Sequence, residues 1–278
     1  EFSKFKKNNQ LFYSQSHHNW RRTKRNIDKS GLLKTSLQDF TNLIFANKFS
    51  KLGRDILQSK EVLDCLRRIS DNNDFYMWQN MFFDKSTGTI NHIDTWHLDT
   101  SPRGFMIAGW FALENSTKNG GYFHIYPCSH KEKLDDCIGM DHKKFRLWSK
   151  KLTLKYKKSS FLLKKGDVLF WHPFLLHGSS SQLSDGNGRK SLTSHYIPSD
   201  CIRNVNSCID DSFINDKKSE EYIKELKFQQ KSTRNFGYPI SSSYPRRKIF
   251  LNYIKGWIRY TFNFHNDEKM LMSEDDYK

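Results

Sequence analysis

The sequence predicts a mainly β protein with flanking helices, whose β core lies between residues 75 and 198. In that region short aromatic and branched-chain runs alternate with Gly, Asn, Asp and Pro, a pattern typical of an antiparallel sandwich or barrel. Residues 54–69, which precede it, repeat apolar side chains at helical spacing. Aromatic residues make up 15% of the 278 residues, so the chain can build a core despite its polar average composition.

The first predicted unit, residues 1–74, is a basic N-terminal arm followed by helices that pack on the core. Residues 1–30 are polar and basic, and we expect a loosely held arm. Residues 37–49 predict a short helix and residues 54–69 a longer one, which the turn residues 71–74 end. The longer helix carries its apolar side chains on one face: Ile56, Leu57, Val62, Leu63, Leu66 and Ile69.

The second predicted unit, residues 75–198, is the β core, and the third, residues 199–278, is a C-terminal helical extension. Within the extension, residues 219–228 and 246–264 predict helices, and the second of these is basic and aromatic. The predicted strands of the core span residues 75–83, 105–113, 122–126, 159–163, 168–171 and 191–197.

Two H-x-D motifs follow the first predicted strand, one at His92/Asp94 and one at His97/Asp99. Residues i and i+2 of an extended chain project to the same side, so either pair can present an imidazole and a carboxylate to one metal ion. A second histidine from a distant strand would complete the two-His, one-carboxylate set of non-haem iron(II) oxygenases. An isolated H-x-D motif is weak evidence for a metal site, so the assignment depends on motifs elsewhere in the sequence.

A predicted strand further along the chain leads to His177-Gly178-Ser179, and Arg189 follows twelve residues after His177. An arginine on the next strand can make a bidentate ion pair with a carboxylate deep inside a barrel. His172 stands at odd spacing from His177, which places it on the opposite face. We expect the remaining core histidines to be structural: His124, His130 and His195.

Taken in order, the motifs between Phe75 and Pro198 resemble the phytanoyl-CoA dioxygenase-like family of iron(II)- and 2-oxoglutarate-dependent oxygenases. One departure is Cys128, which stands where that family usually has Gly and affects a turn, not the chemistry. The pieces that carry the resemblance are His92-Ile93-Asp94, Trp110-Phe111-Ala112-Leu113-Glu114, Pro127-Cys128-Ser129-His130, Gly166-Asp167-Val168-Leu169-Phe170, His177-Gly178-Ser179 and Arg189.

The resemblance implies a double-stranded β-helix core (a cupin-like jelly roll) that uses Fe(II), 2-oxoglutarate and O₂. It assigns His92, Asp94 and His177 to the metal. The family's order of residues after the motif favours this first H-x-D pair over His97/Asp99, which would line the pocket mouth or pack there.

The resemblance also implies a co-substrate site and a reaction. Arg189 would bind the distal carboxylate of 2-oxoglutarate, with Lys85 as the next candidate, and Trp110 and Ser179 would contact the same molecule. The implied reaction hydroxylates a substrate C–H bond and releases succinate and CO₂. Asp94 supports hydroxylation, because related halogenases have a small residue at that position.

The charge of the chain bears on its partners. Lys and Arg number 46 against 30 Asp and Glu, a formal net charge of +16. Such an excess favours anionic partners, and we expect a small anionic or carrier-bound substrate. We expect no nucleic acid, because no zinc-finger, KH or RRM signature is present. Membrane-surface contact through the basic residues 246–264 is a disfavoured alternative to their packing on the core.

The five cysteines include no CxxC pair and are odd in number, so we expect a reduced, cytoplasmic protein. Two other functions remain open from the sequence. A non-catalytic jelly-roll binding protein would not convert 2-oxoglutarate to succinate. A nucleic-acid-associated oxygenase would bind DNA or RNA in a salt-dependent manner.

Overall fold

The computed structural model of the chain describes residues 11–14, 22–24, 27–38, 40–42, 47–71, 74–132, 142–183, 188–205 and 238–239. The core is a mainly β jelly roll, as the sequence predicted. Its helices are α1 (Asn47–Leu57), α2 (Lys60–Ser70) and α3 (His142–Lys155), and 3-10 turns lie at Phe40–Asn42, Asp94–Trp96 and Ser129–Lys131. Its strands are β1 (Leu11–Ser14), β2 (Arg22–Lys24), β3 (Leu37–Gln38), β4 (Phe75–Phe83), β5 (Leu98–Ser101), β6 (Ile107–Ala112), β7 (Phe123–Ile125), β8 (Ser159–Phe161), β9 (Val168–Trp171), β10 (His177–Ser179), β11 (Ser191–Pro198), β12 (Ile202–Val205) and β13 (Tyr238–Pro239).

The strands form antiparallel sheets of very different size. The large sheet has the order β2-β1-β3-β4-β11-β6-β9, with β13 also paired to β4. The small sheet has the order β10-β7-β8, and β12 pairs with β5. The inner faces of the two larger sheets pack together, because the ring of Phe123 on β7 lies 5.7 Å from Trp110 on β6 and 5.1 Å from Trp171 on β9.

Helices α1 and α2 cover the outer face of the large sheet. Leu57 and Leu66 are completely buried there against Phe75 and Tyr196. The Tyr196 hydroxyl also donates a hydrogen bond to the carbonyl of Leu57 at 2.8 Å. The side chain of Ser59 accepts a hydrogen bond from the Val62 N–H and caps the start of α2. Because these helices cover the outer face of the large sheet, the site forms on its inner face.

The predicted strands of the core are present, and the main differences lie outside them. The helix predicted over residues 37–49 was wrong. Leu37 instead pairs with Phe82 in the sheet, Phe40 lies in the 3-10 turn, and α1 begins only at Asn47. Phe40 packs on Phe82 and Phe49, so burial of its ring determines the local conformation.

Two further differences concern the N-terminal arm and α3. The described parts of the predicted arm, β1 and β2, are paired strands of the large sheet. Helix α3 was not predicted. The helices predicted at 219–228 and 246–264 lie outside the described residues. Within the described part of the chain, no helix is long and apolar enough to cross a membrane.

Candidate metal centre

A reciprocal backbone contact joins His92 to His177. The N–H of His92 donates to the carbonyl of His177 at 2.9 Å, and the N–H of His177 donates back at 3.0 Å. This bridge continues the edge of the small sheet, and it brings the two imidazole ring centroids to 4.3 Å. Gly178 makes the approach possible, because a Cβ there would lie 2.8 Å from the Asn91 side-chain oxygen and 2.9 Å from the Thr89 carbonyl.

Both imidazoles are oriented by a backbone carbonyl two residues earlier. Nδ1 of His92 lies 2.8 Å from the carbonyl of Ile90, and Nδ1 of His177 lies 2.9 Å from the carbonyl of Leu175. A carbonyl only accepts hydrogen bonds, so each Nδ1 carries the proton and each Nε2 keeps a free lone pair. Both lone pairs are therefore available to a metal ion.

Asp94 supplies the third ligand atom from the 3-10 turn that follows His92. Its Oδ1 lies 3.5 Å from Nε2 of His92 and 3.6 Å from Nε2 of His177. The three ligand atoms all lie within 4.8 Å of one another, and no other group of three or more His, Cys, Asp or Glu side chains in the described residues could hold a metal in this way. This cluster suits an iron ion.

The protonation states of Asp94 and His177 favour a cation. Burial opposes protonation of His92, but the Asp94 carboxylate outweighs burial and raises the pKa of His92. Burial lowers the pKa of His177 to about 4, so this imidazole is neutral at neutral pH. Burial opposes ionisation of Asp94, but the imidazoles of His177, His195 and His92 outweigh it and hold the pKa of Asp94 well below its ordinary value. A neutral imidazole and an ionised carboxylate are the forms that bind metals.

The second H-x-D pair has a different role in the structure. The Asp99 carboxylate accepts hydrogen bonds from the Thr95 hydroxyl at 2.5 Å, from the Thr100 N–H at 2.7 Å and from the Gly104 N–H at 3.1 Å. Its oxygens are therefore engaged in holding the turn that follows β5. The centroid of the His97 ring lies 6.2 Å from that of the His92 ring, and the His97 ring also contacts Trp96.

Arg189 is buried in the barrel without a carboxylate partner among the described residues. It is 3% exposed, its Nη1 donates to the carbonyl of Gly121 at 3.4 Å, and its Nε has no hydrogen-bond partner there. Its guanidinium carbon lies 5.2 Å from the ring centroid of Trp110. Burial lowers the pKa of Arg189 to about 10, which still leaves it charged at neutral pH.

A continuous row of rings connects Arg189 with the metal cluster. Trp110 stacks with Phe123, and Phe123 stacks with the imidazole of His177 at 5.8 Å between centroids. Ser179 is also buried, and its hydroxyl accepts a hydrogen bond from the Thr89 N–H at 3.0 Å.

Lys85, the alternative anchor, is paired elsewhere. Its Nζ lies 2.6 Å from the Asp28 carboxylate. Arg189 therefore remains the better candidate for binding a ligand carboxylate inside the barrel.

Sequence reasoning missed two residues that contact Asp94. The indole N–H of Trp171 donates to Oδ2 of Asp94 at 2.8 Å, and Nε2 of His195 lies 3.7 Å from the same oxygen. His195 stands an even number of residues after Arg189, so strand alternation could have suggested an inward side chain. Trp171 gave no comparable signal, because its aromatic neighbours suggest simple core packing.

The other histidines lie where the sequence placed them. His124 is bonded to the Asn91 side chain at 2.7 Å between Nε2 and Oδ1. His172 is exposed, and its Nδ1 accepts a hydrogen bond from the Phe174 N–H. The ring of His130 lies 5.7 Å from that of His172. None of these three belongs to the cluster.

Comparison with protein families gives one match over most of the described core. The family model described as phytanoyl-CoA dioxygenase (PhyH) matches residues 4–191, which is more than half of the chain. This interval contains all of the cluster and the buried arginine.

Among the proteins similar to the chain are two curated peroxisomal dioxygenases and one carbocyclase of solved structure. Peroxisomal phytanoyl-CoA dioxygenase of Homo sapiens is 27% identical over 117 residues, covering 40% of this chain and 33% of that protein. Its Mus musculus counterpart is 28% identical over 142 residues, covering 49% and 39%. The chain thus spans well under half the length of these relatives.

The solved structure is that of the non-haem alpha-ketoglutarate-dependent carbocyclase SnoK from nogalamycin biosynthesis. It superposes with a TM-score of 0.50 at 15% identity, covering 68% of this chain and 74% of that one. A likeness at this identity shows the shared fold.

Proposed function

Because the chain belongs to the phytanoyl-CoA dioxygenase family, we propose that it is an iron(II)- and 2-oxoglutarate-dependent oxygenase. The observation that carries the proposal is the convergence of His92, Asp94 and His177 on one point inside the jelly roll. Two imidazoles and one carboxylate fill half of an octahedron and leave open positions for a chelating co-substrate and O₂.

The residues of the cluster fit this metal. Both histidines offer an unprotonated Nε2, and Asp94 turns Oδ1 toward them while Trp171 occupies Oδ2. Asp94 and His177 are 7% and 5% exposed, whereas His92 is 17% exposed. His92 therefore lies on the side from which a substrate would approach.

Arg189 fits the distal carboxylate of 2-oxoglutarate. A buried guanidinium with an unsatisfied N–H is costly, and a carboxylate is the group that satisfies it best, through a bidentate pair. Trp110 holds the arginine in place from one side, and we propose that it and Ser179 contact the bound co-substrate.

Bound iron(II) would supply activation of O₂, coupled to conversion of 2-oxoglutarate to succinate and CO₂ and to oxidation of a substrate C–H bond. The protein's own part is positioning and exclusion of water. Trp110, Phe123 and Trp171 line the interior with rings beside His177. Asp94 occupies the carboxylate position of the ligand set, which supports hydroxylation as the outcome.

We propose further that the substrate is small and anionic or carrier-bound. The support is the net charge of +16, which raises the local concentration of anions at the protein surface. Turnover of an anionic substrate would then fall with ionic strength, and a neutral substrate would not respond.

The test is succinate formation by the purified full chain with iron(II), 2-oxoglutarate and O₂. We expect turnover in the wild type, its loss in Asp94→Ala and His177→Ala, and its retention in the control His172→Ala, since His172 is exposed and outside the cluster. A wild type that binds iron(II) and 2-oxoglutarate but forms no succinate would identify a binding protein instead. Salt-sensitive binding of DNA or RNA would favour a nucleic-acid-associated oxygenase.

A further inference from the structure

The outward face of helix α3 combines exposed leucines with a large excess of positive charge. Leu147 is 57% exposed and Leu154 is 83% exposed, the larger value being the highest among the exposed large hydrophobic side chains of the described residues. Residues 142–158 contain no Asp or Glu. Their basic residues are Lys143, Lys144, Arg146, Lys150, Lys151, Lys155, Lys157 and Lys158.

The opposite face fixes the orientation of this helix. Phe145 is buried and stacks on Trp96 at 4.1 Å between centroids with only 7° between the ring planes. The Ser149 hydroxyl donates to the carbonyl of Asn91 at 3.0 Å, and Leu152 is buried in the same cluster. The helix cannot turn its leucines inward without giving up these contacts.

The leucines lie on one line along the outward face. They are seven residues apart, which is two helical turns, or about 10 Å along the axis. Lys150 and Lys151 stand between them in sequence and project to either side of that line. A helix whose apolar line is flanked by lysines is the arrangement that lies flat on an anionic bilayer, with lysine stems extending along apolar surface to reach the phosphates.

We propose that α3 docks on an anionic lipid bilayer, with Leu147 and Leu154 entering the interface and the flanking lysines contacting lipid phosphates. Charge complementarity selects an anionic surface, because Lys150 and Lys151 are exposed beside the leucines and residues 142–158 contain no acidic side chain. The leucines favour a bilayer over nucleic acid, since a phosphate backbone offers them nothing to contact.

Docking in this way would bring the bilayer close to the metal cluster. The inward face of α3 contacts Trp96 and Asn91. These two residues flank His92 and Asp94 in sequence. A helix is about 10 Å across, so one helix diameter would separate the lipid surface from the residues next to the ligands. The proposal itself rests on the surface of α3 and holds whether or not the proposed function is correct.

The test is co-sedimentation of the full chain with phosphatidylcholine vesicles that contain or lack phosphatidylserine. We expect binding only to the vesicles with phosphatidylserine, weakening as salt rises. Leu147→Gln/Leu154→Gln and Lys150→Gln/Lys151→Gln should each lower the partition coefficient roughly tenfold. All four positions are exposed, and an unchanged melting temperature would show that both variants fold.

Two control variants remove the same groups elsewhere on the surface. Ile69→Gln/Leu183→Gln takes away exposed apolar side chains, 55% and 72% exposed, and Lys29→Gln/Lys34→Gln takes away exposed charges. Both should bind vesicles like the wild type. The proposal is overturned if the wild type does not bind, if a control variant loses binding equally, or if the leucine variant binds unchanged. In that last case the face attracts anions, including nucleic acid, by charge alone.

Discussion

At the residue scale, the two carboxylate oxygens of Asp94 have different surroundings. Oδ1 faces Nε2 of both histidines, while Oδ2 accepts the indole hydrogen bond of Trp171 at 2.8 Å. A hydrogen bond to the far oxygen of a ligating carboxylate fixes which oxygen is presented to the metal. Trp171 is therefore a positioning residue for Asp94.

Replacing Trp171 with Phe should weaken metal binding while leaving the fold intact. The ring volume is largely kept, but the hydrogen bond to Asp94 is lost, and such losses weaken metal affinity roughly 10- to 100-fold. The measurement is calorimetric titration with Mn(II), in parallel with the melting temperature. Trp148→Phe is the matched control, because Trp148 packs on Phe145 and away from Asp94. Equal affinities in the two variants would refute the positioning role.

Arg189 should determine the affinity for 2-oxoglutarate. Arg189→Leu removes a buried charge-assisted pair, a loss of roughly 2–5 kcal/mol, or about 30-fold to several thousandfold in affinity. The measurement is the dissociation constant of 2-oxoglutarate for the metal-loaded protein. Lys85→Met serves as the control and should bind normally, since Lys85 is paired with Asp28. An unchanged constant in Arg189→Leu would assign the anchor to another residue.

The sequence was most informative for residues within ordered motifs. His92, Asp94, His177 and Arg189 stand in a recognisable succession, and the structure brings the first three together. The contact of His195 with Asp94 was missed although its even spacing from Arg189 predicts an inward side chain, because we expected His195 to be structural. A histidine inside the core can equally be held by other core hydrogen bonds, so its spacing alone does not identify the group that it contacts.

At the element scale, the turn after β5 links the fold to the metal cluster. Asp99 receives hydrogen bonds from both sides of this turn and from Thr95, the neighbour of Asp94. Burial raises the pKa of Asp99 from 3.8 to about 6, despite these hydrogen bonds. The folded state therefore binds a proton at Asp99 more tightly than the unfolded state does.

This raised pKa predicts how stability depends on pH. The contribution of Asp99 to the free energy of unfolding is most favourable below pH 3.8 and is lost as the pH rises to about 6. The difference between these two pKa values corresponds to roughly 3 kcal/mol. Asp99→Asn removes the titration and retains one acceptor oxygen. Urea titrations at several pH values would measure the free energy of unfolding of both proteins. Between pH 4 and 6 the wild type should lose stability relative to the variant. A difference that does not change with pH would contradict the assignment.

Elements were predictable where hydrophobic periodicity matched burial. The long helix of residues 54–69 was predicted as one element, but the structure divides it into α1 and α2 at Ser59, whose side chain caps the second. Helix α3 was not predicted because Leu147 and Leu154 lie on its exposed face. Apolar residues then occur on both faces, and the sequence shows no single apolar stripe. The helix predicted at 37–49 failed because Leu37 and Phe40 are buried by tertiary contacts.

At the scale of the whole molecule, the fold brings together ligands that are far apart in sequence. His92 and Asp94 lie next to a turn that leads into β5, and His177 begins β10, yet one backbone bridge joins the two regions. An antiparallel sandwich or barrel was predictable because strand runs and turn residues alternate throughout the core, and the resemblance to the family implied the jelly roll. The pairing of β1, β2 and β3 in the large sheet was not predictable, because strands this short carry little pattern.

The most direct test of the account is an anaerobic iron(II) titration of the full chain and its histidine variants. The wild type should bind one ion at the cluster. His92→Ala should lose that binding, because it removes an Nε2 ligand, and His97→Ala should bind like the wild type, because its ring lies outside the cluster. Normal binding by His92→Ala together with loss in His97→Ala would contradict the account and move the metal to the second H-x-D pair.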